Sequence, residues 1–274
     1  MPELPEVETV RKSLKRNITG KTIKQVAVHY RPMVKTTLKH FNDTLKDRTV
    51  IDIKRFGKFL VIDLDGIYLV SHLRMEGKYF MKPENDPKEK HEHLIITFED
   101  GLTLRYHDVR KFGTFHIKTP KTLHTTPPLI KLGVEYDAPA FNVAYLKERF
   151  ENRIRPLKPA LLDQSHVTGI GNIYADEICF CLGFHPATPV GTLDDTALER
   201  LITCTKKVLD KAVRLGGASI RSYKDGLGIT GRFQNELNVH LQAGKSCVQC
   251  GEKIIKIKLG GRGTYLCPEC QRLK

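Results

Sequence analysis

A chain of 274 residues, 40% hydrophobic and 28% charged, is long enough for one large or two ordinary domains that each bury a core, which excludes a disordered or low-complexity protein. No apolar run approaches the roughly 20 residues of a membrane span, and no basic-then-apolar signal segment opens the sequence, so a folded, soluble, cytoplasmic protein is expected. The 45 Lys and Arg outnumber 31 Asp and Glu, and a formal charge of +14 favours an anionic partner, without choosing between DNA, RNA, an acidic protein and a membrane surface.

Residues 3–16 read as a helix, because Val7, Val10 and Leu14 recur at three- and four-residue spacing and Pro2 suits a first-turn position. Between Thr22 and Ile117 come short, often alternating runs, among them Thr22 to Tyr30, Phe59 to Leu64, Tyr68 to Leu73, Leu94 to Phe98 and Leu102 to Tyr106. Asp65-Gly66 and Asp100-Gly101 punctuate them, and the pattern predicts a β-sandwich or barrel. Pro120, Pro127-Pro128 and Pro139 mark a linker over 119–140. Apolar residues at helical spacing then predict helices over Phe141 to Phe150, Pro159 to Leu162, Asn172 to Leu182 and Leu193 to Leu215, the last ended by Gly216-Gly217. Cys179, Cys181 and Cys204 lie scattered among apolar residues and, in a reducing compartment, read as free, mostly buried thiols.

Cys247-x2-Cys250, sixteen residues, then Cys267-x2-Cys270 is the four-thiolate spacing of a structural zinc ribbon; two disulfides or an iron–sulfur site are the alternatives. Four protein ligands leave one Zn2+ no open position for water, so the metal is expected to hold a fold rather than perform chemistry. Between the pairs run Lys253, Lys256, Lys258 and Gly260-Gly261-Arg262-Gly263-Thr264, a basic strand pair with a glycine-rich tip. Such a tip sets Arg262 against phosphate or sugar, or forms a solvated basic face.

The chain opens Met1-Pro2-Glu3-Leu4-Pro5-Glu6-Val7-Glu8-Thr9. A small second residue permits removal of the initiator methionine, which exposes the secondary amine of Pro2. An α-amino group titrates near ~8, and the positive end of a helix disfavours its protonated form, so a neutral, nucleophilic fraction exists near neutral pH. Glu3 adjoins that amine and Glu6 shares its helical side, where either can move a proton. The same ten residues also fit a plain proline-started helix whose acidic residues favour its N-terminus.

This opening resembles that of formamidopyrimidine-DNA glycosylases. Further segments resemble that family's in the family's order: Arg55-Phe56-Gly57-Lys58-Phe59-Leu60, Ser71-His72-Leu73-Arg74-Met75-Glu76-Gly77, Lys90-His91-Glu92-His93, Asp108-Val109-Arg110-Lys111-Phe112-Gly113, Gly169-Ile170-Gly171-Asn172-Ile173-Tyr174-Ala175, and the cysteine pairs with Gly261-Arg262-Gly263-Thr264. The resemblance spans essentially the whole chain. It implies an α+β multidomain fold: an N-terminal catalytic β-sandwich with an N-terminal helix over 1–118, the linker, a helix-two-turn-helix domain over 141–240 and a β-ribbon zinc finger over 241–274.

It also implies a bifunctional glycosylase and lyase of bacterial, nucleoid-associated DNA repair, acting as a monomer on damaged double-stranded DNA. Pro2 would attack C1′ of an oxidised purine nucleotide and form a Schiff base, with β- and δ-elimination to follow. Glu3 would serve as general acid and base with Glu6 beside it, Lys58 as proton donor in β-elimination and Arg262 in δ-elimination. Met75, Arg110 and Phe112 would fill the gap left by a flipped base, although Met and Phe beside strands are ordinarily core residues. Asn172, at the start of a helix behind Gly169-x-Gly171, would help hold a phosphate. His72, His91, Arg153 and Lys158 fall at other DNA-contact positions; without the resemblance His91, Arg153 and Lys158 read as surface charge, and Lys58 as a strand-edge charge. The segment from Ser219 through Gln234, with Arg221, Tyr223 and Gly231, corresponds to the loop that closes over the lesion.

Two departures stand out. Phe56 occupies a position where arginine is common, and Val239-His240-Leu241 replaces the usual valine-tyrosine-glycine. Endonuclease VIII-like enzymes, which excise oxidised pyrimidines by the same proline chemistry, usually open Pro-Glu-Gly-Pro-Glu and lack the Met, Arg, Phe trio, so Leu4, Met75, Arg110 and Phe112 favour the purine-lesion type. A catalytically silent DNA-binding protein could keep Arg110, Asn172 and the cysteines while losing Pro2 or Glu3, and both are present.

Overall fold

The structure, a computed structural model, describes residues 1–218 and 231–273, which form two compact units: Met1–Ile130, and Lys131–Ala218 with the segment from Arg232 onward.

In the first unit, helix α1 (Leu4–Ile18) starts at Glu3 with a capping box and Pro5 in its first turn, and packs Val7, Val10, Leu14 and Ile18 into the core. The strands build two antiparallel sheets. One has the order β1 (Ile23–Val28), β6 (Glu92–Phe98), β7 (Leu102–His107), β5 (Lys78–Pro83); the other β2 (Asp52–Phe56), β3 (Phe59–Asp63), β4 (Tyr68–His72), β8 (Thr114–Lys118). Alternate side chains such as Ile53, Leu60, Ile62, Leu69, Leu94, Ile96, Leu104 and Phe115 are buried in one shared core, the packing expected of a sandwich. Asp65-Gly66 forms the β3–β4 turn with both residues at positive φ, as a two-residue primed turn requires.

The region read as continuously β contains a helix, α2 (Leu38–Leu45). Thr37 caps it by accepting the His40 N–H at 3.2 Å, and Phe41 and Leu45 face the core. Its signal, Leu38, Phe41 and Leu45 at helical spacing behind a threonine, was present but shorter than the surrounding strand pattern.

Two connections cross between the sheets: residues 73–77 lead from β4 to β5, and 108–113 from β7 to β8. Since His72 pairs with Thr114 and Lys78 with His107, both leave the same end of the sandwich side by side.

The second unit contains α3 (Val143–Phe150), α4 (Leu157–Leu162), α5 (Asn172–Leu182) and α6 (Asp195–Arg214), with Asn142 and Asp194 as side-chain N-caps and Gly183 as a left-handed C-cap. The ribbon of β9 (Ile255–Leu259) and β10 (Arg262–Leu266) packs on α5; Phe180, Val239, Ile254 and Tyr265 share its small core. Of the three cysteines expected to be free thiols, only one is free. Cys181 on α5 and Cys204 on α6 form a disulfide, because the packed helices bring their Cα atoms to 5.7 Å, within bridging range. Cys179 is the free, buried one, and burial pushes its thiol pKa up.

Candidate active site and metal centre

At the N-terminus, Pro2, Glu3 and Glu6 are all buried at the positive end of α1. The Glu3 backbone N–H donates to Glu6 Oε2 at 2.8 Å, so the Glu6 carboxylate fixes the chain that joins Pro2 to the helix. Glu8, two residues on, accepts from Arg11 at 2.7 and 2.9 Å and from Arg55 Nε at 3.2 Å. Arg55 then donates to the Gly57 carbonyl at 3.1 Å. Lys58 therefore sits in the two-residue β2–β3 turn, tied through Arg55 to the helix that starts at Pro2. It is only 7% exposed, which replaces the reading of a strand-edge charge. Phe56, the first departure, packs edge-on against His124 with 4.7 Å between ring centroids.

His72 ends β4 with its ring edge-on to Phe59 at 4.5 Å. Its Nδ1 accepts the Arg74 N–H at 2.9 Å, which places the proton on Nε2. Burial, and then the charges of Arg74, Lys58 and His116, push its pKa down to about 3. Met75 is 37% and Phe112 51% exposed, so neither is a core residue, and the Arg110 guanidinium lies 4.8 Å over the Phe112 ring. Their crossover is stapled by buried Asp108, whose carboxylate accepts the Arg110 N–H at 3.0 Å and those of Phe112 and Gly113 at 2.9 Å each. His91, half-buried, ends a loop held by Arg105, which donates to the carbonyls of Pro83, Asp86 and Pro87 and to Glu92 Oε2.

In the second unit, Lys158 lies on α4 with no exposed surface, so it is not the surface charge the sequence pointed to. Its Nζ is 2.8 Å from Asp176 Oδ1 and donates to the Gly263 carbonyl and Thr264 Oγ1 at 2.9 Å each. Asn172, first residue of α5, donates from Nδ2 to the same Gly263 carbonyl at 3.2 Å. Both therefore grip the residue after Arg262, whose exposed side chain stands at the ribbon tip formed by Gly260 and Gly261, each at positive φ. The Gly169 N–H is donated to Gln164 Oε1 at 2.9 Å. Arg153 is exposed in the α3–α4 connection. At the second departure, His240 Nδ1 meets Asp176 Oδ2 at 2.7 Å, and Leu241 stands at φ +60°, a conformation that favours glycine. Glu177 holds this segment by accepting the backbone N–H groups of Asn238, Val239 and His240. Arg221 and Tyr223 lie outside the described residues; Gly231 is buried at their border.

The four ribbon thiols lie within 4.8 Å of one another, with Cys247 Sγ 3.8 Å from Cys270 Sγ and Cys250 Sγ 3.4 Å from Cys267 Sγ. A tetrahedral ion with Zn–S bonds of about 2.3 Å needs sulfur separations of about 3.8 Å, so the donor set and its spacing fit one zinc ion.

Three family models match: the formamidopyrimidine-DNA glycosylase N-terminal domain over residues 1–115, the H2TH domain of the same enzymes over 132–224, and the zinc finger found in FPG and IleRS over 244–273. The chain belongs to the formamidopyrimidine-DNA glycosylase family. Formamidopyrimidine-DNA glycosylase of Exiguobacterium sibiricum is 47% identical over 275 residues, covering 100% of this chain and 99% of that protein. The Bacillus subtilis enzyme is 45% identical, with 100% of both covered. Lactococcus lactis Fpg bound to DNA containing an abasic site superposes with a TM-score of 0.92 at 40% identity, covering 98% of this chain and 99% of that one. The wild-type Lactococcus lactis protein with N7-benzyl-Fapy-dG DNA gives 0.92 at 40%, covering 99% and 100%. This membership makes the chain a zinc-finger DNA glycosylase of base excision repair, with the α+β architecture expected from its sequence. Among the described residues no helix is long and apolar enough to cross a membrane.

Arg55, Asp108, Asp176 and Glu177, which fasten the candidate site residues, were not among the residues the sequence singled out. Only Asp108, two residues ahead of Arg110, carried a local sign, the tendency of aspartate to accept N–H groups just beyond itself in a turn.

Proposed function

We propose that this glycosylase is also an AP lyase that excises oxidised purines, 8-oxoguanine and formamidopyrimidines, from duplex DNA with the Pro2 amine as nucleophile after Met1 is removed. The observation that carries the reading is the joined set at the N-terminus: Pro2 and Glu3 buried at the capped start of α1, and Lys58 tied to that helix through Glu8, Arg55 and Gly57. The neutral Pro2 nitrogen attacks C1′ and the base leaves as the glycosidic bond breaks; Glu3 takes the amine proton and returns it to O4′ as the C1′–O4′ bond opens, and the nitrogen lone pair completes the Schiff-base iminium. The iminium acidifies C2′; loss of a proton there expels the 3′ phosphate, and a second elimination expels the 5′ phosphate. Lys58 donates a proton in the first elimination and Arg262 acts in the second, while Glu6 acts through its grip on the Glu3 backbone.

Met75, Arg110 and Phe112 replace the extruded nucleotide in the stack, with Arg110 pairing to the orphaned cytosine; their exposure supports this role. His72, neutral at physiological pH, offers its Nε2–H to a phosphate oxygen, and His91 and Arg153 add backbone contacts. Lys158 and Asn172 serve DNA binding by fixing the Arg262 turn. By the same reading Arg221, Tyr223 and Gly231 would act on the lesion. The domain bounds read from the sequence, monomeric action and a cytoplasmic, nucleoid-associated place belong to the same reading.

Borohydride trapping on a duplex with 8-oxoguanine opposite cytosine, beside a thymine-glycol duplex and with intact mass on the product, tests it. An adduct on Pro2 that favours the purine lesion is expected. A thymine-glycol preference would move the chain to the pyrimidine-lesion type, and tight binding without an adduct would leave a silent DNA-binding protein.

A further inference from the structure

The two crossovers that carry Met75, Arg110 and Phe112 converge on one buried phenol. Tyr106, near the end of β7, packs edge-on against Tyr79 and Phe115 with ring centroids 5.2 and 4.9 Å away. Its hydroxyl reaches between Gly77, which closes the 73–77 crossover, and Gly113, which closes the 108–113 crossover. A Cβ on Gly77 would fall 2.1 Å from that oxygen and one on Gly113 only 1.9 Å. Neither glycine has a positive φ, so each is required for close approach and not for its backbone conformation. The Gly77 N–H closes the first crossover on the Leu73 carbonyl at 3.0 Å. Asp108, 3.5 Å from the Tyr106 hydroxyl, closes the second through its three backbone N–H groups.

We propose that Tyr106 and Asp108 are positioning residues for base extrusion: they clamp the two crossovers together, so that Met75 and the Arg110–Phe112 pair enter the duplex as one preformed wedge. The inference rests on the gap-filling role of those three side chains. Two loops that ordered separately on the DNA would each lose conformational freedom at that moment, and a preformed wedge avoids that loss. The saving falls on the extrusion step, the one that must offset broken stacking. Chemistry on a nucleotide that needs no extrusion does not draw on it.

The test uses the full-length protein with Asp108→Asn, whose amide cannot accept all three N–H groups, and Tyr106→Phe, which removes only the hydroxyl. Extrusion is followed by stopped-flow fluorescence of 2-aminopurine next to 8-oxoguanine in a duplex. Elimination at an abasic site in a single-stranded oligonucleotide, where no stack has to be filled, is measured beside it. Extrusion is expected to slow roughly tenfold in Asp108→Asn and by less in Tyr106→Phe, with single-strand cleavage within about twofold of the parent. Unchanged extrusion in both variants, or an equal fall of extrusion and single-strand cleavage, overturns the clamp. Met75→Ala with Phe112→Ala separates the two ideas. Normal extrusion there defeats the gap-filling reading itself, whereas slow extrusion there with normal extrusion in Asp108→Asn defeats only the clamp.

Discussion

Lys158 and Asp176 form an ion pair of 2.8 Å in which neither side chain has any exposed surface. Removing one member leaves the other charged and buried, a loss of roughly 3–5 kcal/mol, whereas replacing both with apolar residues costs much less. Lys158→Met is therefore expected to lower the denaturation midpoint strongly, and Lys158→Met with Asp176→Leu to recover part of it, because Asp176→Leu also takes the 2.7 Å partner of His240 Nδ1 away. Because Lys158 also holds the Gly263 carbonyl, both variants are expected to shift product from δ- toward β-elimination. Urea melts and product gels check the two halves separately.

The ribbon core of Phe180, Val239, Ile254 and Tyr265 is too small to hold β9 and β10 without the four thiolates drawn onto one ion. One zinc per chain is expected by metal analysis. Cys267→Ser is expected to abolish retention and weaken binding to lesion DNA about tenfold or more, as Arg262 and its neighbouring lysines lose their frame. Stoichiometric zinc in that variant would contradict the assignment.

What was legible in the sequence was what local pattern encodes. Val7, Val10 and Leu14 wrote α1, Asp65-Gly66 wrote a turn, and the cysteine spacing wrote the metal site, because periodicity, turn chemistry and ligand pairs are short-range signals. The candidate site residues were legible only by resemblance. What fastens them was not: Arg55 reaches from β2 to Glu8, and Lys158 reaches Gly263 more than a hundred positions away, contacts that no window on the chain contains. The Cys181–Cys204 bridge failed for the same reason, since it depends on how α5 packs on α6.

Glu3 and Glu6 are expected to separate on mutation. Glu3→Gln removes the proton donor and acceptor beside Pro2, so single-turnover excision falls roughly 10²–10⁴-fold while lesion DNA still binds. Glu6→Gln keeps an oxygen for the Glu3 N–H and is expected to stay within about tenfold of the parent, while Glu6→Ala loses the cap and roughly 1 kcal/mol of stability. Equal losses in Glu3→Gln and Glu6→Gln would give Glu6 a direct part in the proton transfers.

Leu241, at φ +60°, holds a left-handed conformation that costs a residue with a Cβ roughly 1–2 kcal/mol. Leu241→Gly relieves that strain and loses a half-exposed side chain, at some cost in unfolded-state entropy. A gain of up to about 1 kcal/mol is expected in urea melts. A loss would show that the Leu241 side chain contributes more than its backbone strain takes away.

His72 makes the stability of the fold fall as pH falls below about 6.5. Its folded pKa is about 3, against roughly 6.5 in an unfolded chain. Above 6.5 both states are neutral at this residue and it contributes no slope. Between 6.5 and 3 the unfolded chain takes up a proton that the folded protein refuses, so stability falls as pH falls, by up to ~1.4 kcal/mol per pH unit from this group. His116, pushed down to about 4 by burial and by Lys118, Lys35 and Arg74, adds loss in the same direction. His72→Gln keeps an oxygen to accept the Arg74 N–H and cannot titrate. Its stability is expected to lie below the parent's at pH 7.5 and to decline less steeply between pH 6.5 and 5. A variant whose melts follow the parent's slope through that window would mean that folded His72 takes its proton as readily as the unfolded chain does.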